Sequence, residues 1–470
     1  MLFTDFSFFL IMPIIFIVYW LIPVRLYGLK KMFLLVVSYL LYVNFNPTYA
    51  FLLLAISLIT FFGAKLLANG VIAFRWGGVA IAVLALLPLV FFKYYNFVNE
   101  SVFSLLSFAH LRFHLPGLNW AIPVGISFFT FQALGYYLDV YHKRISVEKK
   151  LIDYLLFVSF FPQIVSGPIS KASELLPQIK TPIPFSYNKA AKGCRYFLWG
   201  LFLKIVLADR AGLYVALVLD HYYDFSGINC LFATFLYSIQ IYADFAGYSF
   251  MAIGTANLLG FDLINNFNHP YFSMSVTDFW RRWHISLSRW LKDYVYIPLG
   301  GNRCSKVRNY MNIMTTFLVS GIWHGANWTF VLWGVFHGLC QVMEKALNLQ
   351  KTDSKGFFRA LRIVVTFFVI CFAWILFRSQ TIADFFNIVY QIISLNKGFY
   401  VAMDGVDMLA YFVVAFVPFV IFEVLHEFYK EKYRKLMRYI FVRWGIYIAL
   451  SSLIALIGVF DGSEFIYANF

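Results

Sequence analysis

The sequence predicts an all-α integral membrane protein, and three observations carry that prediction. Only 13% of the 470 residues are charged, against roughly a quarter in soluble domains. Hydrophobic residues make up 61%, with a mean hydropathy of +0.73. Apolar runs long enough to cross a hydrocarbon core of about 30 Å recur from one end of the chain to the other. In lipid every backbone N–H and C=O must be paired internally, which leaves helices as the economical solution for such runs. A globular cytosolic protein is excluded.

The runs fall near residues 6–24, 32–43, 48–68, 78–98, 120–140, 151–170, 196–219, 229–260, 311–342, 360–378, 407–427 and 440–460. They predict a bundle of roughly ten to twelve transmembrane or partial helices. Several runs carry Gly and Pro, as in Phe161-Pro162-Gln163-Ile164-Val165-Ser166-Gly167-Pro168. A broken helix survives in lipid only where protein or a wet cavity covers its freed backbone groups, so an internal chamber is expected. The polar connections are short, and no repeat, low-complexity tract or soluble module is visible. The chain is therefore expected to be one membrane domain, 1–470, with any extracytoplasmic module on a separate protein. The N-terminus carries Asp5 where a signal peptide would be basic, and no small-residue cleavage site follows its apolar run. Arg25, Lys30 and Lys31 after the first run suggest an N-terminus facing outward.

Lys and Arg outnumber Asp and Glu by 38 to 23, a formal charge of +15. In a membrane chain such an excess collects at cytoplasmic helix ends, so no nucleic-acid partner is implied. A share of it suits anionic lipid or a phosphorylated donor. The five cysteines are widely spaced in apolar surroundings and read as small apolar residues. Neither a disulfide framework nor a metal site is expected from them.

Residues 277–297 predict an amphipathic helix lying in the membrane interface. At 100° per residue, Phe279, Trp280, Trp283, Leu287, Trp290, Leu291 and Tyr294 share one stripe, with Asp278, Arg281, Arg282, Arg289, Lys292 and Asp293 opposite. Ile285 alone breaks the pattern, and His284 falls at the edge of the aromatic stripe.

The most informative residues are Gly321-Ile322-Trp323-His324-Gly325-Ala326-Asn327-Trp328, inside an apolar stretch from Ile313 to Leu339. On one helix Ser320, Gly321, His324, Asn327 and Trp328 would share a small and polar face. An ionisable group at membrane depth is costly and normally faces the bundle interior or water. His324 is thus the leading functional candidate, since an imidazole titrates near neutrality and suits acid–base work. For His284 a catalytic role and a membrane-anchoring one stand level. Trp323 and Asn327 are assigned supporting places, as is Asp244, whose carboxylate would be paired or protonated. Arg281, Arg282 and Lys292 could hold donor phosphates, although the solvated or headgroup-facing side of an amphipathic helix is the commoner reason for such residues. The Pro298–Arg303 loop reads as a turn more readily than as an anion cradle. His337 and His426 have no polar companions in sequence and read as structural, while Gly334 and Gly338 suggest a close helix contact.

The pairing of Asp278-Phe279-Trp280-Arg281-Arg282-Trp283-His284-Ile285-Ser286-Leu287-Ser288 with Trp323-His324-Gly325-Ala326-Asn327-Trp328 resembles the membrane-bound O-acyltransferase superfamily, nearest its alginate O-acetylation branch. Pro123–Phe128, Asp139-Val140-Tyr141, Phe161–Ile169, Ile297–Arg303 and the closing Phe465-Ile466-Tyr467 extend the likeness over most of the chain. The resemblance implies a helical bundle around a central tunnel through the membrane. It implies acyl transfer, usually acetyl, from a cytoplasmic thioester such as acetyl-CoA to a polysaccharide or cell-wall hydroxyl outside. No bound cofactor is implied. An extracytoplasmic partner of the SGNH-hydrolase type and a bacterial cytoplasmic membrane are. The essential histidine of the family corresponds to His324 and its second motif position to His284. A transporter or channel using His324, Asp244 and His284 as a proton or solute path is the rival class, and the absence of an internal repeat counts against it. Within the enzyme class, D-alanyl transfer to teichoic acid is the alternative.

Overall fold

The computed structural model describes residues 3–71, 76–108, 110, 115–165, 167–350, 354–395 and 403–460. Ser166 and the closing Phe465-Ile466-Tyr467 lie outside the described residues. Among the described residues every regular element is helical. Six helices are long and apolar enough to cross a membrane: Val24–Val43, Pro47–Ala68, Trp76–Phe108, Gly356–Arg378, Asp407–Phe428 and Ile440–Ile457. Phe6–Leu21, Leu151–Ile164 and Ile382–Ser394 are apolar but shorter. This is a multi-pass membrane protein.

The described residues divide into two compact units, one holding residues 3–194 and Ala252–Ile264, the other Arg195–Met251 and the described residues of 265–460. In the first, hydroxyls tie apolar helices together where lipid offers nothing to bond. Thr60 Oγ1 meets Tyr154 Oη at 2.7 Å, and Tyr42 donates to the Val124 carbonyl at 2.9 Å. The run at 151–170 is broken at Phe160, between helices Leu151–Ser159 and Phe161–Ile164. The freed Phe161 N–H finds the Ser38 hydroxyl at 3.2 Å. Gly125 caps Ile126–Tyr141 with φ +74°, and a Cβ there would strike the Ile164 carbonyl oxygen. Only glycine meets both demands, which explains its place in the Pro123–Phe128 motif.

In the second unit a π-helical stretch, Phe202–Ala208, interrupts the run of helix between Tyr187 and Leu219. It packs beside helix Gly227–Leu258, where the backbones of Gly200 and Gly247 approach too closely for a side chain on either. That approach lets the buried Lys204 ammonium reach Asp244 at 2.8 Å, and it also meets Asp209 at 2.8 Å.

Two expectations about helix continuity change. The 277–297 segment is not one amphipathic helix: it runs as Val276–Arg282, then Ile285–Leu291, then a π turn over Lys292–Tyr296. The break falls at Trp283-His284, where His284 takes φ +42° and ψ 55°. Likewise Ile313–Leu339 is two helices, Lys306–His324 and Trp328–Ala346, turned back on each other at residues 325–327. The stretch is apolar throughout, but Gly325 is extended and Asn327 caps the following helix by accepting from Thr329 N at 3.0 Å. Gly321 faces the Phe330 carbonyl and Gly334, and Gly334 faces the Phe317 carbonyl. The hairpin is therefore held by backbone-to-backbone packing of the kind that small residues permit.

Candidate functional site

Everything that converges on the site belongs to the second unit. The hairpin puts His324 at the last position of its first helix, 1% exposed. Its imidazole is walled by aromatic rings, with centroid distances of 5.0 Å to Trp323, 4.9 Å to Trp333 and 5.4 Å to Phe377. Trp333 in turn stacks on Trp374, whose ring lies 5.0 Å from that of Trp283 at a 50° tilt. A ring-lined, water-poor setting strengthens any hydrogen bond made there.

His284 reaches the same cluster from the broken helix pair. It is fully buried, 4.7 Å from the Phe245 ring and 5.9 Å from Trp323, centroid to centroid. A left-handed backbone at a non-glycine residue costs on the order of 1 kcal/mol or more and persists only where surroundings enforce it. The enforcement is visible. Ile285 N donates to the Asn266 carbonyl at 2.9 Å, Ser286 N to Asn266 Oδ1 at 3.1 Å, and Asn268 N to the Arg282 carbonyl at 2.9 Å. His284 lies outside the six spans, and burial pushes its imidazole well below the ordinary range, to about 3. It is a neutral hydrogen-bonding group at physiological pH, not a cation.

The remaining candidates are placed as follows. Trp323 packs against both histidines. Asn327 caps the second hairpin helix and donates its amide to the Gln380 carbonyl at 2.6 Å, so it holds the turn that follows His324. Trp328 is exposed and does not share the buried face. Asp244 pairs with Lys204. Arg282 is bound to Asp278 at 3.3 Å and Glu427 at 2.9 Å, while Arg281 and Lys292 are exposed. In the 298–303 loop the N–H groups of Gly300, Gly301 and Arg303 all donate to nearby carbonyls, which makes it a turn.

Several partners were not legible in the sequence. His337 accepts from Trp280 Nε1 at 3.2 Å, so it does have a polar companion. His426 stacks on Phe422, 4.1 Å between centroids, and lies 5.7 Å from His269. His269 meets Glu423 at 3.1 Å, and Tyr242 donates to the same carboxylate at 3.1 Å. Lys204 and Glu423 are ionisable residues inside apolar runs, and that signal was available to find them.

Residues 127–383 match the family model described as MBOAT, membrane-bound O-acyltransferase family. Over 440 residues the chain is 34% identical to a probable alginate O-acetylase of Pseudomonas aeruginosa, covering 90% of this chain and 81% of that protein. It is 34% identical over 397 residues to a peptidoglycan O-acetyltransferase of Helicobacter pylori, covering 78% of this chain and 74% of the relative. A teichoic acid D-alanyltransferase of Streptococcus thermophilus is 29% identical over 333 residues, 65% of this chain and 76% of its own length.

Proposed function

The chain belongs to the membrane-bound O-acyltransferase family, and from that premise we propose that it moves acetyl from a cytoplasmic thioester to a hydroxyl of an exported polysaccharide or cell-wall polymer. It is a membrane O-acyltransferase. The finer reading is supported by the names of its relatives, since those at 34% identity are O-acetylating enzymes and the D-alanyl transferase is more distant. In this reading the chain acts as one catalytic unit, 1–470, in a bacterial cytoplasmic membrane. A tunnel of the kind the family resemblance implies brings donor and acceptor together, directly or through an SGNH-type partner outside. The thioester is a substrate, acetyl-CoA or another acyl carrier, and no resident cofactor is required.

One observation carries the assignment of roles: the rings of His284 and His324, forty residues apart in sequence, both lie against the Trp323 indole, at 5.9 and 5.0 Å between centroids. Acyl transfer needs a base for the acceptor proton and donors aimed at the developing oxyanion. His324 takes the proton from the acceptor hydroxyl as its oxygen attacks the thioester carbonyl. The neutral imidazole of His284 donates to the oxyanion or orients the thioester. When the tetrahedral intermediate collapses, the thiolate leaves and His324 returns the proton. Because His324 is 1% exposed, the acceptor reaches it only as neighbouring rings swing aside, and water is kept from the thioester until then. Trp323 and Asn327 hold the histidine and its turn, and Asp244 acts through the Lys204 pair as support.

The test is a His324→Ala variant that inserts at wild-type level. Release of thiol and transfer of labelled acetyl are measured in membranes, with acetyl-CoA and acetylated acyl carrier protein as donors. Turnover should fall at least about a hundredfold. Ester formation at the normal rate would remove His324 from the mechanism.

A further inference from the structure

We infer that Glu423 and Glu427 are positioning residues that hold His284 in its working orientation. The two carboxylates lie four residues apart on helix Met403–Phe428, hence on one face. Each uses both oxygens. Glu423 Oε2 meets His269 Nδ1 at 3.1 Å, and Oε1 accepts from Tyr242 at 3.1 Å. Glu427 Oε2 meets Arg282 Nη1 at 2.9 Å, and Oε1 meets Arg359 at 3.4 Å.

His269 and Arg282 are the anchored ends of two chain segments that cross beside His284. Segment 266–269 carries the Asn266 carbonyl and side-chain oxygen that accept from Ile285 and Ser286, while Asn268 N closes onto the Arg282 carbonyl. His269, like His284, is left-handed, with φ +47° against +42°. Two such residues in hydrogen-bonded segments hold their shape only if something outside fixes both. The outside element is the helix bearing Glu423 and Glu427, which meets one segment at His269, 3.1 Å from Glu423, and holds the other through the Arg282–Glu427 hydrogen bond. Tyr242 extends the grip inward, since its ring packs on Trp283, 6.0 Å between centroids, next to His284. The network touches no reacting atom. Its role is to keep the His284 break from relaxing into ordinary helix.

This inference rests on His284 acting in the transfer, and the experiment separates the two claims. Glu423→Gln, Glu427→Gln and His284→Asn are made singly, and each Glu variant is also combined with His284→Asn. Asparagine tolerates the left-handed backbone, so the break itself survives. Turnover of acetyl-CoA or acetylated carrier protein, whichever the wild type uses, is read with membrane yield and melting temperature in detergent. The expected result is a roughly tenfold lower kcat for Glu423→Gln with KM for the thioester and melting temperature unchanged. Added to His284→Asn, the same change should cost less than about twofold, because its route to the chemistry is already cut. A full tenfold loss on top of His284→Asn would overturn the proposal, as would wild-type kcat in both Glu variants. Should Glu423→Gln fail to accumulate, Glu427→Gln decides by the same criteria, since it leaves the Glu423 contacts with His269 and Tyr242 in place. If His284→Asn itself turns over at the wild-type rate, the role given to His284 falls instead.

Discussion

The imidazole of His284 and the indole of Trp323 stand 5.9 Å apart at an interplanar angle of 61°, and the same indole lies 5.0 Å from His324. One side chain therefore touches both histidines, although it belongs to the hairpin and His284 to the broken helix. Replacing Trp323 with Phe keeps an aromatic ring against both, and replacing it with Ala removes it. Acetyl transfer in membranes should stay within about threefold of wild type for Trp323→Phe and fall at least about tenfold for Trp323→Ala. An alanine variant with unaltered turnover would show that the histidines do not depend on this ring.

The hairpin that delivers His324 depends on backbone contact at Gly321. A methyl there would collide with the Phe330 carbonyl oxygen and press on Gly334. Gly321→Ala should destabilise the protein by about 1–3 kcal/mol, the usual range for overpacking. Gly28→Ala is the matched control, because nothing lies within 4 Å of a Cβ at that position. Melting in detergent should separate the two variants clearly, and equal melting temperatures would mean that the hairpin adjusts to the methyl.

The membrane class and the two histidines were legible because each rests on local sequence: long apolar runs, and a titratable residue among glycines and tryptophans. The break at His284 was not. A helical wheel assumes 100° per residue throughout, and the residue that ends the helix here is a histidine rather than glycine or proline. The nearest partner of the break is Asn266, which accepts from Ile285 and Ser286 and has no mark of its own in sequence. The same limit hid the partner of Arg282. Its charge reads as part of a headgroup-facing stripe, yet its counter-ion Glu427 lies 145 residues further on. Asp244 was expected to be paired or protonated, and Lys204 is visible in sequence as an ionisable residue in an apolar run, but that the two pair follows only from the π-helical stretch that brings them within 2.8 Å.

That buried pair carries its own prediction. Lys204 is 2% exposed and sits between Asp209 and Asp244. Lys204→Met keeps most of the side-chain volume but leaves two carboxylates buried without their cation. Breaking a buried ion pair from one side costs about 3–5 kcal/mol, because the remaining charge is stranded. The variant should accumulate poorly or melt far below wild type. Combining it with Asp209→Asn and Asp244→Asn removes the stranded charges and should restore most of the loss. If Lys204→Met alone melts like wild type, the lysine does not balance these carboxylates in the membrane.

The last prediction concerns pH. Burial holds His284 near 3 in the folded protein, whereas an unfolded imidazole titrates near 6.5. Below about 6.5 the unfolded chain therefore binds a proton that the folded chain refuses, so stability falls with acidification and continues to fall until the pH nears 3. Above 6.5 both states are neutral at this residue and it adds no slope. Within the window a single group of this kind contributes about 1.4 kcal/mol per pH unit. Asparagine cannot titrate and accepts the left-handed backbone, so His284→Asn should lose one proton's share of that slope between pH 6.5 and 4.5. Urea or thermal unfolding of both proteins in the same detergent, at half-unit pH intervals, measures the difference. Parallel curves for wild type and His284→Asn would mean that this imidazole takes up its proton without unfolding, and its placement as a neutral group would be wrong.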